Sequence, residues 1–144
     1  AFAVVVLDYD GVCTPSFREL VAEAGSVLAP LRSELSGVID ELRARGSQVA
    51  LLSNEFDREW CADIEGFPEF DHIFVGSDNR IFKPDRRAFQ RVLHVAKVQP
   101  AHCLVVDDNE DNCRVARSIG CAVVHFDPID AAASWEAVLQ SRPT

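Results

Sequence analysis

Short runs of consecutive apolar residues recur along the chain, and each is followed by a polar turn. Runs that are apolar throughout, rather than alternating, are typical of strands buried on both faces of a parallel sheet. The five runs are Val4 to Leu7, Val49 to Leu52, His72 to Val75, Cys103 to Val106 and Ala122 to Phe126. They predict an α/β fold, with a Rossmann-like, five-stranded parallel sheet and helices on both faces.

Between these runs, apolar residues recur at helical spacing. Six helices are predicted: Ser16 to Ala24; a segment with Leu31, Leu35, Val38 and Leu42 that ends at Gly46; one with Phe56, Trp60 and Ile64 that ends at Gly66 and Pro68; one after Pro84 and Asp85 with Phe89, Val92, Leu93 and Ala96; one with Val115, Ala116 and Ile119; and one from about Asp130 to Gln140. Strands that alternate with helices in this way indicate parallel strands joined by crossovers.

Size and charge narrow the class of protein. With 144 residues, 48% of them hydrophobic, the chain is expected to form one domain over residues 1–144. The net charge of -9 argues against nucleic acid and anionic membranes as partners, since both require a basic surface. No apolar run approaches the roughly 20 residues of a membrane span, and the N-terminus lacks a signal-type segment. We therefore expect a cytoplasmic protein without a membrane partner.

The cysteines do not indicate a structural cross-link. There are five, an odd number, and none forms a CxxC pair, which argues against a disulfide framework or a zinc site. Cys13 lies close to the first strand, but we expect it to be a small apolar filler rather than a redox switch. The chain starts without a methionine, which leaves open that it is one domain of a longer enzyme.

Polar residues stand where each predicted strand ends. Because the carboxyl ends of parallel strands meet at one edge of the sheet, we expect these side chains to converge on one crevice. They are Asp8 and Asp10 after the first strand, Ser53 and Asn54 after the second, Lys83 in the approach to the helix after the third, and Asp107 and Asp108 after the fourth.

Four carboxylates brought together repel one another unless a cation neutralises them. Mg²⁺ fits best, because it prefers oxygen ligands and commonly binds through one or two carboxylates together with a substrate phosphate. Lys83 could supply a compact positive charge to a phosphoryl group, and Ser53 could supply a hydrogen-bond donor. The residues alone thus favour a magnesium site that binds phosphate.

With these residues in place, the chain resembles the haloacid dehalogenase (HAD) superfamily over almost its whole length. Asp8-Tyr9-Asp10-Gly11-Val12 matches the DxDx(T/V) motif that opens the family's site, and the family's other three motifs follow in order. They are Ser53 after a hydrophobic strand, Lys83-Pro84, and the acidic pair Asp107-Asp108. A single DxD would be weak, but four spaced motifs at successive strand ends make a chance match improbable.

The resemblance implies a phosphatase with an aspartyl-phosphate intermediate. Asp8 would be the nucleophile, and Asp10 would protonate the leaving oxygen and then deprotonate the attacking water. Dehalogenating members resemble this chain at the nucleophile but lack the second acid, so Asp10 favours phosphatase chemistry. Lys83 would restrain the nucleophile and offset charge in the transition state. The predicted Mg²⁺ ligands are the Asp8 carboxylate, the Asp10 backbone carbonyl, Asp108, and Asp107 directly or through water. The predicted phosphate contacts are Ser53, Lys83 and the backbone amides around Tyr9 and Asn54.

The chain departs from many relatives in the space available for a cap. Neither the segment before the second motif nor that before the third has room for an independent domain, so we expect a core with no separate cap. The substrate is then a phosphorylated macromolecule that closes the site itself, or a phosphorylated small molecule in a homo-oligomer. Phe17 and Arg18, just after the first motif, are candidate substrate contacts, whereas Phe56 and Trp60 are expected in the core.

Two alternatives remain open at this point. One is a phospho-accepting or non-catalytic module, similar to receiver domains in its sheet and its acids. The order of the motifs counts against it, because receivers place their paired acids on the first strand and their lysine near the end. The other is a phosphatase domain within a larger biosynthetic enzyme.

Overall fold

Five parallel strands form the centre of the protein in a computed structural model, which describes residues 1–15 and 30–144. The strands are β1 (Val4–Leu7), β2 (Gln48–Ser53), β3 (His72–Val75), β4 (Cys103–Asp107) and β5 (Ala122–His125). Their order across the sheet is β3-β2-β1-β4-β5. The predicted α/β fold, with its parallel five-stranded sheet, is confirmed.

Within residues 1–15 and 30–144, four α-helices pack on this sheet: α1 (Leu35–Ala44), α2 (Arg86–Ala96), α3 (Glu110–Ile119) and α4 (Ala131–Gln140). Their boundaries follow local chemistry. The Asp85 side chain accepts a hydrogen bond from the Arg87 amide at the start of α2, and Gly120 ends α3 in the left-handed region at φ 108°. The predicted helix Ser16 to Ala24 lies outside the described residues.

The helices cover both faces of the sheet, as the uninterrupted apolar strands predict. Val5 and Leu7 of β1 belong to a core with α1 and α4, whereas Val4 and Val6 belong to a second core with α2 and α3. Because successive residues of a strand face opposite sides, β1 contributes equally to both cores. All four of its residues are buried, so the strand that leads to Asp8 is held rigidly.

Two expectations were wrong in detail. The segment with Phe56, Trp60 and Ile64 forms only a short 3-10 helix, Arg58–Ala62, because Phe56 leaves the helical path to stack against Phe67, with ring centroids 5.5 Å apart. Strand β5 is only partly buried, since it lies at the edge of the sheet. The expectation that Phe56 is a core residue is confirmed, with 3% of its surface exposed.

Strand β1 lies at the topological switch point of the sheet. The chain leaves it towards β2 on one side, and β4 pairs with its other side. In open α/β sheets, ligands bind outside the carboxyl ends of the strands at this position. None of the helices in the described ranges is both long enough and apolar enough to span a lipid bilayer.

Candidate active site

An open cleft of about 990 Å³ lies at the carboxyl ends of the strands. Its walls come from the loops that follow β1, β2, β4 and β5, together with Lys83. The residues that line it are Asp8, Asp10, Ser53, Asn54, Glu55, Lys83, Asp107, Asp108, Asn109, Glu110, Asn112, Asp127, Pro128 and Ile129. The seven residues that the sequence places at the strand ends and in the approach to the helix after the third strand therefore all line one cleft.

The Lys83 ammonium is the point at which three strand ends meet. It donates hydrogen bonds to Asp8 Oδ1 at 2.8 Å, to Asp107 Oδ2 at 2.7 Å and to the Leu52 carbonyl at 2.9 Å. An ammonium group has three donors, so every one of them is used. Lys83 therefore fixes the ends of β1, β2 and β4 relative to one another.

The charge on Lys83 is maintained in spite of burial. Its side chain is only 3% exposed, and loss of solvation opposes the charged form. The Asp8 and Asp107 carboxylates more than offset this effect, and the pKa of Lys83 is raised above its ordinary value. The lysine is a permanent cation in the floor of the cleft.

The Asn54 side chain holds the backbone of Lys83. Its Nδ2 donates to the Lys83 carbonyl at 2.9 Å, and its Oδ1 accepts from the Lys83 amide at 2.8 Å. The sequence assigned Asn54 to phosphate binding through its backbone. The structure shows that its side chain is occupied in positioning Lys83.

Asp107 is buried and surrounded by donors. Besides Lys83, its Oδ2 accepts from Asn112 Nδ2 at 3.1 Å, and its Oδ1 accepts from the Asn109 amide at 2.9 Å. Asn109 in turn caps α3, since its side chain accepts from the Asn112 amide at 3.0 Å. Asp107 thus anchors both Lys83 and the first turn of α3.

Burial makes the negative charges of Asp8 and Asp108 unfavourable. Burial raises the pKa of Asp8 well above 3.8, a change opposed by Lys83 and reinforced by Asp107 and Asp108. Burial also raises the pKa of Asp108. One ammonium faces three carboxylates here, so the cluster retains an excess of negative charge.

The loop after β1 brings the backbone of Gly11 close to the Asp108 carboxylate. Gly11 has φ +89°, and a Cβ at this position would overlap the Asp108 carboxylate. Only glycine tolerates both the left-handed conformation and this close approach. Asp10 lies beside Gly11 at the mouth of the cleft, and Ser53 lies in its wall, where its Oγ accepts from the Phe56 amide at 3.2 Å.

Comparison with known proteins identifies the family. The profile of the haloacid dehalogenase-like hydrolases matches residues 18–120, which is more than half of the chain. The chain belongs to this family. Its members are hydrolases. The fold brings residues of all four motifs named from the sequence together in the cleft, where Lys83 of the third motif binds Asp8 of the first.

Two curated relatives of this HAD-like chain are longer than the chain itself. The mouse acyl-CoA dehydrogenase family member 10 is 32% identical over 111 residues, which cover 73% of this chain and 10% of the relative. The phosphoserine phosphatase of Thermus thermophilus is 30% identical over 131 residues, which cover 77% of this chain and 53% of the relative. The chain thus spans about a tenth and about half of their respective lengths.

Solved structures share the fold. A predicted HAD-like family hydrolase from Porphyromonas gingivalis superposes with a TM-score of 0.73 at 16% identity, covering 98% of this chain and 99% of that one. A mutant HAD-family enzyme from Bacteroides thetaiotaomicron, crystallised with magnesium and inorganic phosphate, superposes with a TM-score of 0.70 at 18% identity, covering 89% and 95%. These likenesses show that this HAD-like chain has the family's fold.

The carboxylates of the HAD-like site suit a hard divalent cation. Oxygen atoms of Asp8, Asp107 and Asp108 lie within 4.8 Å of one another. Such a set of hard oxygen donors with excess negative charge is the kind of site that Mg²⁺ occupies. The donor chemistry therefore fits the metal that the sequence predicts.

Two residues that support the site received no firm role from the sequence. Asn112 binds Asp107 directly, and its position five residues after Asp107, in the first turn of the next helix, is the sequence signal that could have identified it. Arg32 received no role, yet it binds the loop that carries Asp10. Phe17 and Arg18, proposed as substrate contacts, lie outside the described residues.

Proposed function

We propose that this chain is a Mg²⁺-dependent phosphomonoester hydrolase that forms an aspartyl phosphate on Asp8. The observation that carries the proposal is the placement of Asp8 between the Lys83 ammonium and the Asp108 carboxylate in an open cleft. A nucleophilic carboxylate needs a fixed position and a partner for the charge that develops on the phosphoryl oxygens. Lys83 supplies both.

The phosphoryl group passes through two displacements. In the first, Asp8 Oδ attacks phosphorus, the bond to the leaving oxygen breaks, and Asp10 donates a proton to that oxygen. In the second, Asp10 takes a proton from a water molecule, which attacks phosphorus and releases Asp8 and inorganic phosphate. Asp10 therefore alternates between acid and base, and its place at the mouth of the cleft suits that exchange.

The other side chains position these two aspartates and the phosphate. Lys83 restrains Asp8 and offsets charge in the transition state, and Ser53 in the cleft wall contacts a phosphate oxygen. The Asp8 carboxylate, the Asp10 carbonyl and Asp108 would hold Mg²⁺, which when bound supplies a counter-charge for the phosphoryl oxygens. The oxygens of Asp107 already accept hydrogen bonds from Lys83, Asn112 and Asn109. Asp107 would therefore contact the metal through a water molecule.

The relatives support this reaction and suggest a first substrate. The Thermus thermophilus relative is a phosphoserine phosphatase, and the Bacteroides thetaiotaomicron structure holds magnesium and inorganic phosphate. O-phosphoserine is therefore the first phosphomonoester to assay, followed by other phosphorylated metabolites and by phosphopeptides. A phosphatase domain of a larger enzyme is a second candidate, favoured by the match to a tenth of the mouse relative.

The test is hydrolysis of a generic aryl phosphate and of O-phosphoserine, with Mg²⁺ and with EDTA. Activity should require the metal and should be lost in Asp8→Asn, because an amide cannot attack phosphorus. Asp40→Asn is the matched control, since Asp40 lies on the exposed face of α1. Activity that survives Asp8→Asn excludes the nucleophile assignment; a stable phosphoprotein without turnover favours a phospho-accepting module instead.

A further inference from the structure

The turn after β1 directs its amides to a single oxygen. The Tyr9 carbonyl accepts from the amides of Val12, Cys13 and Thr14 at 3.4, 2.9 and 3.2 Å. This satisfies the donors of the turn but leaves the carbonyls that follow Asp10 to find partners elsewhere. Gly11, Val12 and Cys13 are buried, so their carbonyls require donors from the protein.

Arg32 supplies a donor to each of these three consecutive carbonyls. Its Nη2 donates to the Gly11 carbonyl at 3.0 Å, its Nε to the Val12 carbonyl at 3.0 Å, and its backbone amide to the Cys13 carbonyl at 2.8 Å. The planar fork of a guanidinium group can satisfy two neighbouring acceptors at once. A lysine ammonium, which is a compact point charge, lacks this fixed fork.

The other side of the Arg32 guanidinium rests on the loop after β5. Its central carbon lies 5.3 Å from the centre of the Phe126 ring, which is fully buried. The Phe126 amide in turn donates to the Asp107 carbonyl at 2.9 Å. Arg32 therefore connects the turn that carries Asp10 to the strand end that carries Asp107.

We infer that Arg32 is a positioning residue, which holds Asp10 at its working distance from Asp8 through the backbone of the turn. The inference rests on the proposed phosphatase function. Arg32 does not line the cleft, so it acts on Asp10 through the backbone of Gly11, Val12 and Cys13. A displacement of about 1 Å in a reacting group lowers the rate by about 100-fold.

Three variants separate a positioning role of Arg32 from an effect on protein stability: Arg32→Ala, Arg32→Lys and the control Arg142→Ala. Arg142 also donates through its guanidinium to two backbone carbonyls, those of Leu139 and Ser141, but it lies near the C-terminus, away from the cleft. Both Arg32 variants should lose about 10- to 100-fold in kcat, with KM changed by less than about threefold. Millimolar guanidinium ions should restore part of the lost kcat in Arg32→Ala, whereas ammonium ions should not; Arg142→Ala should keep wild-type kcat.

Hydrogen–deuterium exchange supplies a readout that does not depend on activity. Well below the thermal midpoint, the amides of residues 11–14 should exchange faster in both Arg32 variants, while those of β1 and β4 stay protected. If Arg32→Ala does not fold, Arg32→Lys carries the test. Wild-type kcat in Arg32→Lys, or unchanged exchange in residues 11–14, overturns the inference. A wild-type protein without activity on any phosphomonoester instead removes the proposed function, and the exchange experiment still decides whether Arg32 holds the turn.

Discussion

Asn54 and Lys83, which are 29 residues apart, are joined by two reciprocal hydrogen bonds between the Asn54 side chain and the Lys83 backbone. The lysine side chain then reaches Asp8 and Asp107 from this fixed backbone. The position of the Lys83 ammonium thus depends on an asparagine whose side chain is engaged with the protein itself. The precision of the site comes from this support as much as from the charged residues.

Asn54→Ala should therefore lower both stability and rate. The Lys83 amide and carbonyl each lose a partner, at a cost of about 1–3 kcal/mol in the free energy of unfolding. Displacement of the lysine should reduce kcat by about 10- to 100-fold. Urea unfolding and steady-state kinetics measure the two effects. Asn79→Ala is the control, since Asn79 bonds only the Ile81 amide in an exposed loop among the described contacts; equal effects of both substitutions would contradict the role of Asn54.

Lys83→Met should be more severe, because it leaves the Asp8 and Asp107 carboxylates buried without their cation. Loss of one partner of a buried ion pair costs about 3–5 kcal/mol, and activity should fall below detection. Lys97→Met, at the exposed end of α2, is the control. Urea unfolding at pH 7 measures the difference in stability between the two variants, which should be several kcal/mol in favour of Lys97→Met.

The pH dependence of stability in the wild type and in Lys83→Met follows from the direction of the pKa shifts of Lys83 and Asp8. The pKa of Lys83 is raised in the folded state, so its contribution to stability is complete below about pH 10 and is lost only as the pH rises through the folded pKa. The pKa of Asp8 is raised above 3.8, so an unpaired Asp8 destabilises the fold progressively as the pH rises above that value. Lys83→Met should therefore regain stability between pH 7 and pH 4, and a deficit that is constant over this range would contradict the argument.

Asp108→Asn should stabilise the metal-free protein while abolishing metal binding. The pKa of Asp108 is raised mainly by burial, so neutralising its carboxylate should relieve an unfavourable charge. In EDTA the thermal midpoint should rise, and the stabilisation by Mg²⁺ seen in the wild type should disappear. Asp111→Asn, which removes an exposed partner of Arg114, should leave the Mg²⁺ effect intact. A lower midpoint for Asp108→Asn in EDTA would show that the carboxylate supports the fold.

Gly11→Ala and Gly46→Ala form a matched pair. Both glycines have a left-handed φ, +89° and +93°, so each substitution costs about 1 kcal/mol of backbone strain. Only at Gly11 does the new Cβ overlap the Asp108 carboxylate, whereas Gly46 has open space. Gly11→Ala should lose Mg²⁺-dependent activity and the Mg²⁺ effect on the thermal midpoint. If both variants retain them, Asp108 does not need its present position.

The sequence by itself determined the strands, most of the helices and the residues at the strand ends. Strand β1 shows why: Val4, Val5, Val6 and Leu7 specify a strand buried on both faces, and the polar Asp8 after them marks its end. Such patterns depend on neighbours in the chain. The segment around Phe56 was predicted less well, because its aromatic packing against Phe67 overrode the helical spacing.

Only the tertiary structure decided which of the site residues contact one another. Lys83 meets Asp8, Asp107 and the Leu52 carbonyl because β1 lies between β2 and β4, and this strand order is not encoded in any local pattern. The engagement of Asn54 with the Lys83 backbone and that of Arg32 with the turn at Gly11 are likewise contacts between residues 20 or more positions apart. Hydrogen bonds of this kind depend on distances set by packing, so the identity of the charged residues could be predicted from the sequence, whereas the supporting contacts of Asn54 and Arg32 could not.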